Sequence, residues 1–404
     1  MRIWHFCPSP VSFAREQGGV ANVVRALSAE MAASGHDVTV VCGDHELGRP
    51  MQQPGEDWPM PGLRIVTLKQ RGNPALGPVA EVSRIAASLG ANDVAHVHTC
   101  FSAFSEAAMG ALARADVPFL FSPHGKLSEA ALHNRGLAKR LWWAALSKRR
   151  IAAAARIGVN ATGEAADAER SGLAVPTVMI SNGCSPPEGD HWRASRPTST
   201  GRYVLFLGYL DPRKRPELLI ETFAQPGMPD DVTLVLAGPD HYGHGDELRR
   251  LAGQAGIERR VVFHGPVYGA EKWRLIAGAE CLCLPSRAEG MPLVLAEAVG
   301  AYTPIVVSPQ CNASAITDAD AGIEVADATP AAWAASIGWL LASQSRVAMM
   351  RAAAARIAPD YRWDGIAARW VDLYRTVAAE RHREVGTLER ARHRMPANQR
   401  ASGV

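Results

Sequence analysis

Short apolar runs alternate with helical periods along most of this chain. Arg2-Ile3-Trp4-His5-Phe6 predicts an opening strand. Val20, Val23, Val24, Leu27 and Met31 then fall at helical spacing, and Gly35 is placed to end that helix. Val38-Thr39-Val40-Val41 predicts the next strand, giving a βαβ unit whose parallel strands need helices to cover them. Further strands are expected over 94–98, 118–122, 156–160 and 177–180. The pattern is a doubly wound α/β domain, whose ligand sites lie at the carboxyl ends of its strands.

The rhythm breaks between Pro186 and Gly201, a polar stretch rich in Pro, Gly and Ser that reads as an interdomain linker. It restarts with strands at Tyr203-Val204-Leu205-Phe206-Leu207, Thr233-Leu234-Val235-Leu236-Ala237 and Val261-Val262-Phe263. Cys281-Leu282-Cys283-Leu284-Pro285 and Pro304-Ile305-Val306-Val307 continue the series, and such apolar runs fit central strands buried on both faces. The segment from Ala331 to Ala358 reads as helical. Trp363, Ile366, Trp370, Leu373 and Tyr374 mark one more amphipathic helix, and from about Glu380 a charged tail is expected to fray. The expected layout is a Rossmann-like domain over 1–185, a linker over 186–201 and a second Rossmann-like domain over 202–360. A crossover helix over 361–380 and a tail over 381–404 complete it, with a cleft between the two domains.

The 404 residues, 47% hydrophobic and 21% charged, suffice for two or three domains with their own cores. A net charge of +3 argues against nucleic acid as a partner. No run approaches the ~20 apolar residues of a membrane span. Pro8 and Pro10 follow the first strand too closely for a signal peptide. Seven scattered cysteines without a C-x-x-C pair argue against a disulfide framework or structural zinc. A reduced, soluble, cytoplasmic protein is expected.

The chemistry concentrates in Ser286-Arg287-Ala288-Glu289-Gly290-Met291-Pro292-Leu293, which joins the Cys281 strand to an apolar helix containing Glu297. A strand, a glycine-bearing turn and a helix N-terminus make a site for an anion, because unpaired amides and the helix dipole point outward there. Pro292 suits the first helical turn. Glu289 at the mouth and Glu297 about a turn and a half along the helix suggest a ligand with hydroxyls as well as phosphates, such as a nucleotide sugar. Gly208-Tyr209-Leu210-Asp211-Pro212-Arg213-Lys214 follows the first strand of the second domain, where Lys214 can reach a phosphate as a point charge. In the first domain, Ser122-Pro123-His124-Gly125 closes a strand, and Gly125 allows close approach of a ligand. The loop after the first strand lacks G-x-G-x-x-G, which removes a dinucleotide reading and leaves Asp44 as a surface turn aspartate. His96 and His98 share one strand face but have no third metal ligand in view. Asn182-Gly183 reads as a turn.

Together these segments resemble the retaining glycosyltransferases of family 4, which have the GT-B fold. The resemblance runs from Gly18-Gly19 to the Trp363 helix. It includes Gly35-His36-Asp37-Val38, Asp93-Val94-Ala95-His96-Val97-His98, Ser122 to Gly125 and Ser181-Asn182-Gly183. In the second half it includes Gly208 to Lys214, Ala237-Gly238-Pro239, Phe263-His264-Gly265, Pro285-Ser286 and the Glu289/Glu297 pair. The resemblance implies that Lys214 and the amides around Gly290, Met291, Pro292 and Leu293 hold a diphosphate, Pro292 itself contributing no N–H. Glu289 would face the sugar, Glu297 would hold the ribose, and His124 would act near the anomeric centre. Gly208, Tyr209 and Arg213 belong to the phosphate turn, His264 and Gly265 to the base, and Gly18 and Gly19 to a loop over phosphate and acceptor.

This chain departs from the family at Tyr209, where an arginine is usual, and at Tyr302 and Ser181, where glycine and proline are usual. Tyr209 removes a charge-assisted phosphate contact worth ~1.5–3 kcal/mol, unless Arg213 swings in. The implied activity is retaining transfer from a nucleotide diphosphate sugar to a glycan or lipid-linked acceptor, in cell-surface polysaccharide synthesis. No metal or other cofactor is expected, since no Asp-x-Asp sits at a strand end. A catalytically silent nucleotide-sugar binder and a GT-B phosphorylase or epimerase are the alternatives. Lys139, Arg140, Lys148, Arg149 and Arg150 with Trp142 and Trp143 read as an amphipathic helix, or as a peripheral membrane contact near a lipid-linked acceptor.

Overall fold

The computed structural model describes residues 1–13, 18–46, 49–50, 55–69, 78–128, 141–189, 192, 201–240 and 243–394. Its first sheet has eight strands. Their order is Thr177–Met179, Arg156–Val159, Phe119–Ser122, Asp93–His98, Arg2–Cys7, Asp37–Gly43, Leu63–Leu68 and Gly55–Met60. All neighbours pair in parallel except Gly55–Met60, which runs antiparallel to Leu63–Leu68. The strand order reverses between Arg2–Cys7 and Asp93–His98, so a crevice opens at their carboxyl ends.

The second sheet has six parallel strands in the order Val261–Gly265, Val232–Ala237, Arg202–Leu207, Cys281–Leu284, Ile305–Val307, Gly322–Glu324. Its reversal lies between Arg202–Leu207 and Cys281–Leu284. Val204, Leu205, Phe206, Leu234, Val235 and Leu282 are all buried, because helices cover both faces of this sheet. Each such side chain contributes about 1.5–3 kcal/mol on burial. The apolar pattern implied two Rossmann-like domains, and the family resemblance implied that they form the GT-B architecture seen here.

The first helix, Gly19–Ala33, ends as its glycine predicts. Gly35 takes a left-handed φ of 83°, its amide bonds Ala32 O, and the His36 amide bonds Met31 O. That is a Schellman closure, in which a residue free of Cβ turns the chain out of the helix.

Several elements differ from the sequence reading. Leu63–Leu68 and Gly55–Met60 are strands that no apolar run announced. The former alternates buried and half-buried positions, and the latter is an exposed edge that tolerates Pro59. A short hairpin, His45–Glu46 with Arg49–Pro50, and the final strand Gly322–Glu324 were also unannounced. Asp44 is no surface residue: it is buried and shares a proton-bearing contact of 2.6 Å with His45 Nδ1. The helical segment from Ala331 to Ala358 divides into Pro330–Leu341 and Gln344–Ile357. Pro292 stands just before the Leu293–Gly300 helix, with an extended ψ of 132°, rather than inside its first turn.

The last helix, Trp363–Arg394, runs well past the expected end near 380. Trp363, Ile366, Trp370, Val371, Tyr374 and Val377 sink into the first domain's core beside Ile3, Val24, Leu27 and Val38. The Glu380 carboxylate bonds Arg156 at 2.9 Å and Arg381 pairs with Asp116, so the helix is anchored where fraying was expected. The linker also carries structure: Trp192 is fully buried in the second core and packs edge-on against Trp273. Residues 190, 191 and 193–200 of that linker lie outside the described residues, as do Lys139 and Arg140 and the tail from 395 on. Downstream of Arg140, Trp142 Nε1 and Ser147 Oγ donate to buried Glu106, which ties this basic stretch to the first domain. Among the described residues no helix is long and apolar enough to cross a membrane.

Candidate functional site

The first domain's loop after Phe119–Ser122 meets the second domain's loop after Cys281–Leu284. In the second domain, the loop after Arg202–Leu207 and the loop after Cys281–Leu284 leave adjacent strands, because Val204 pairs with Cys281. Gly238 supports the first loop from behind: with a φ of 133°, it lies where an added Cβ would meet Gly208 O at 1.9 Å.

Within that loop the three consecutive cations separate. Arg213 donates to both oxygens of Asp211, with Nε at 3.1 and 3.0 Å. Asp211 is buried, which alone would raise its carboxyl, but the Arg213 bonds outweigh this and hold it below the usual range. Arg213 is therefore held by Asp211 in this structure. Arg215, at a left-handed φ of 54°, sends its guanidinium to Ala328 O. Lys214 turns to the other loop, where Nζ donates to Glu289 Oε1 at 2.6 Å.

Glu289 is held from several sides. Ser286 Oγ donates to the same Oε1 at 3.0 Å, and Glu289 N donates to Gln310 O at 3.1 Å. Asn312 Nδ2 bonds both Glu289 O and Gly290 O, at 2.8 and 2.7 Å, and so pins the turn. Leu293 and Val294 then begin an eight-residue helix, whose first amides have no carbonyl partner within it. Glu297 lies one turn along the helix, bonded by Lys272 Nζ at 2.8 Å. His264 is exposed at the edge of the sheet, 3.8 Å from Glu271, and Gly265 follows it with a φ of 79°.

The first domain approaches this turn backbone to backbone. An added Cβ on Gly125 would lie 2.8 Å from Gly290 N, and one on Gly290 would lie 3.0 Å from Gly125 N. Glu164, buried, accepts from the amides of both Gly125 and Asn160 and holds the His124–Gly125 turn in place. Burial raises its carboxyl above the usual range against the pull of those amides. Asn182 is more than a turn residue. Its Nδ2 crosses to the second domain and donates to Met291 O at 2.7 Å. Leu293 packs against the first domain's core from the other side of that turn.

His124 sits at a left-handed φ of 49° with Nε2 3.0 Å from His98 Nδ1. Burial pushes its imidazole down to about 4, so it is neutral at neutral pH. Gly18 and Gly19 open the Gly19–Ala33 helix; residues 14–17 before them lie outside the described residues. His5 supplies the third imidazole that the sequence reading lacked beside His96 and His98. One nitrogen from each lies within 4.8 Å of the others, so these three can be weighed as cation ligands.

The structure thus gathers Lys214, Glu289, Gly290, Met291, Leu293 and His124 at one interdomain junction. Asn182, Asn312 and Glu164 join them, although only Asn182 had drawn notice in the sequence, through its place beside Gly183.

Comparison with known proteins follows the same division. Residues 18–183 match the glycosyl transferase 4-like domain, and residues 190–357 match the glycosyl transferases group 1 family. Among curated relatives, the D-inositol 3-phosphate glycosyltransferase of Salinispora tropica is 32% identical over 231 residues, covering 53% of this chain and 48% of the relative. That of Kineococcus radiotolerans is 32% identical over 200 residues, covering 45% of this chain and 46% of the relative. The chain spans about half the length of these relatives. Sucrose-phosphate synthase from Thermosynechococcus elongatus superposes with a TM-score of 0.74 at 22% identity, covering 94% of this chain and 99% of that one. Anabaena Alr3699/HepE in complex with UDP and glucose superposes with a TM-score of 0.69 at 17% identity, over 93% and 100% of the chains. At these identities the likeness is one of fold. With a family match on each side of the cleft and the doubly wound sheets between them, the chain belongs to the GT-B glycosyltransferases of the family 4 type.

Proposed function

We propose that this protein transfers a glycosyl group from a nucleotide diphosphate sugar to a glycan or lipid-linked acceptor, with retention at the anomeric carbon and without a metal. One observation carries the proposal: Lys214 Nζ meets Glu289 Oε1 at 2.6 Å, beside a helix N-terminus and against the first domain's His124–Gly125 turn. The ion pair holds the cation for a leaving diphosphate next to the acceptor oxygens for sugar hydroxyls. On donor binding, Lys214 would turn to phosphate and Glu289 to the sugar. Positive charge from Lys214 and the amides at Leu293 would stabilise the departing diphosphate. Preorganised donors of this kind are usually the largest catalytic contribution. His124, neutral, would serve the reacting side of the ring, and Glu297 the ribose.

Retention rests on the match of residues 18–183 to the glycosyl transferase 4-like domain, and the use of Lys214 in place of a metal rests on the lack of Asp-x-Asp at the carboxyl ends of the described strands. UDP is the first nucleotide to try, since HepE was solved with it. The names of the curated relatives favour a phosphorylated polyol as a second acceptor class. Cell-surface polysaccharide synthesis is the corresponding setting for a glycan or lipid-linked acceptor.

The test is turnover of UDP-, GDP- and ADP-sugars with each acceptor class, with product stereochemistry read by NMR. Lys214→Ala and Glu289→Ala are each expected to abolish transfer in a folded protein. Full activity in both variants would refute the site. Diphosphate binding without turnover of any donor would favour a silent binder instead, a reading that Tyr209 motivates.

A further inference from the structure

Behind the His124–Gly125 turn lies a row of imidazoles that donor binding does not use. His5 and His98 stand on neighbouring strands at the switch point of the first sheet, and both are fully buried. His5 Nδ1 lies 2.9 Å from His98 Nε2, and His98 Nδ1 lies 3.0 Å from His124 Nε2. The rings stack at 5.2 and 5.3 Å between centroids, with interplanar angles of 25° and 22°.

A neutral imidazole carries one proton, so the direction of one hydrogen bond in this row dictates the other. In one arrangement every ring is protonated on Nδ1, and His5 Nε2 is left as a bare acceptor. In the reverse arrangement every ring is protonated on Nε2, and His5 Nε2–H is a donor. His5 Nε2 is buried and has no hydrogen-bond partner among the described residues. Buried N–H groups without an acceptor are the rarer and costlier case, so the first direction prevails. His96 stacks beside the row without entering it, because Tyr374 Oη and Ser122 Oγ occupy its two nitrogens at 2.7 and 2.9 Å.

We propose that His98, backed by His5, is a positioning residue that donates its Nδ1 proton to His124 Nε2. His124 is thereby held with its own proton on Nδ1, ready to donate to an oxygen of the bound sugar. Nδ1 is the ring atom of His124 that makes no hydrogen bond among the described residues. Burial supports the one-proton count: it pushes His5 down to about 3 and lowers His96 and His98 well below their ordinary value. The inference rests on the transfer reading only in naming the sugar as the group His124 serves.

The experiment uses the full chain with 15N-labelled histidine and variants that separate the roles. His98→Phe keeps a flat ring and removes both nitrogens, whereas His98→Asn restores an amide donor near the place of Nδ1. Nitrogen–proton correlation spectra are expected to show His124 protonated on Nδ1 in the natural protein and in His98→Asn, and redistributed toward Nε2 in His98→Phe. In the transfer assay, His98→Phe is expected to lower kcat about tenfold to a hundredfold, with UDP affinity within about twofold and His98→Asn largely restored. His124 protonated on Nε2 in the natural protein would overturn the proposal. So would an unchanged tautomer in His98→Phe, or a stoichiometric metal ion on the histidines by elemental analysis. Should His98→Phe fail to fold, His5→Leu is the second variant: removing the far end of the row is expected to loosen the Nδ1 preference of His124, and an unaltered preference would overturn the proposal. The tautomer is read without any sugar, so its outcome is separate from success or failure of the transfer reading.

Discussion

The contact between the two glycine turns can be isolated from backbone strain by three alanine variants. Gly125 has a left-handed φ of 77° and an added Cβ would stand 2.8 Å from Gly290 N, so Gly125→Ala meets strain and collision together. Gly290→Ala meets the collision alone, at 3.0 Å from Gly125 N, since Gly290 is not left-handed. Gly35→Ala meets strain alone, because its φ is 83° and nothing lies within 4 Å. A left-handed alanine costs about 1–2 kcal/mol. Forcing a methyl between packed backbones costs about 1–3 kcal/mol, unless the domains part by a few tenths of an ångström to admit it. Gly35→Ala is therefore expected to lose about 1–2 kcal/mol of stability with unchanged turnover. Gly125→Ala is expected to lose more, and to lower kcat about a hundredfold, because displacing the His124 turn by about 1 Å spoils its alignment. Gly290→Ala should share the kcat defect with little of the strain. Urea unfolding midpoints and donor turnover measure both effects. If Gly125→Ala matches Gly35→Ala in both measurements, the turns do not touch in solution and the reasoning fails.

Two further outcomes follow from the same geometry. Tyr209→Arg would add a second cation beside Lys214, in a loop where Arg213 is tied to Asp211. Calorimetry is expected to show UDP binding tighter by about tenfold to a hundredfold, the worth of one charge-assisted hydrogen bond, and an unchanged affinity would place the diphosphate elsewhere.

Stability should fall on acidification from about pH 6.5 to 5. Burial pushes His5 to about 3 and His124 to about 4 and lowers His96 and His98, so the unfolded chain binds more protons in that window. Each group left neutral contributes a slope that grows to about 1.4 kcal/mol per pH unit as the unfolded imidazole becomes fully protonated. Glu30, Glu106 and Glu164, raised by burial, oppose this but are outnumbered. A urea midpoint that stays flat across the window would contradict the burial of the histidine row.

Much of the fold was legible in the sequence, for a physical reason. A strand covered on both faces must be apolar at every position, so Val204 to Leu207 and Cys281 to Leu284 announce themselves. Gly35 marks itself by the left-handed conformation it supplies, and the turn from Glu289 to Pro292 by its glycine and proline ahead of a helix. Strands covered on one face, such as Leu63–Leu68, carry a fainter alternation, and exposed edges such as Gly55–Met60 carry none.

The tertiary structure alone decided which partners each polar group found. Lys214 and Glu289 are 75 residues apart and meet because their loops leave neighbouring strands. Arg213 turned to Asp211 rather than to the cleft. Asn182 and Asn312 brace the turn at Met291 and Gly290, and Glu164 holds Gly125, through hydrogen bonds that leave no period in the chain. His5 is separated from His98 by 93 residues, yet lies within hydrogen-bond reach of it across paired strands. Strand adjacency is a property of the whole sheet, so the local sequence could name the chemical groups at the site but not say which of them touch.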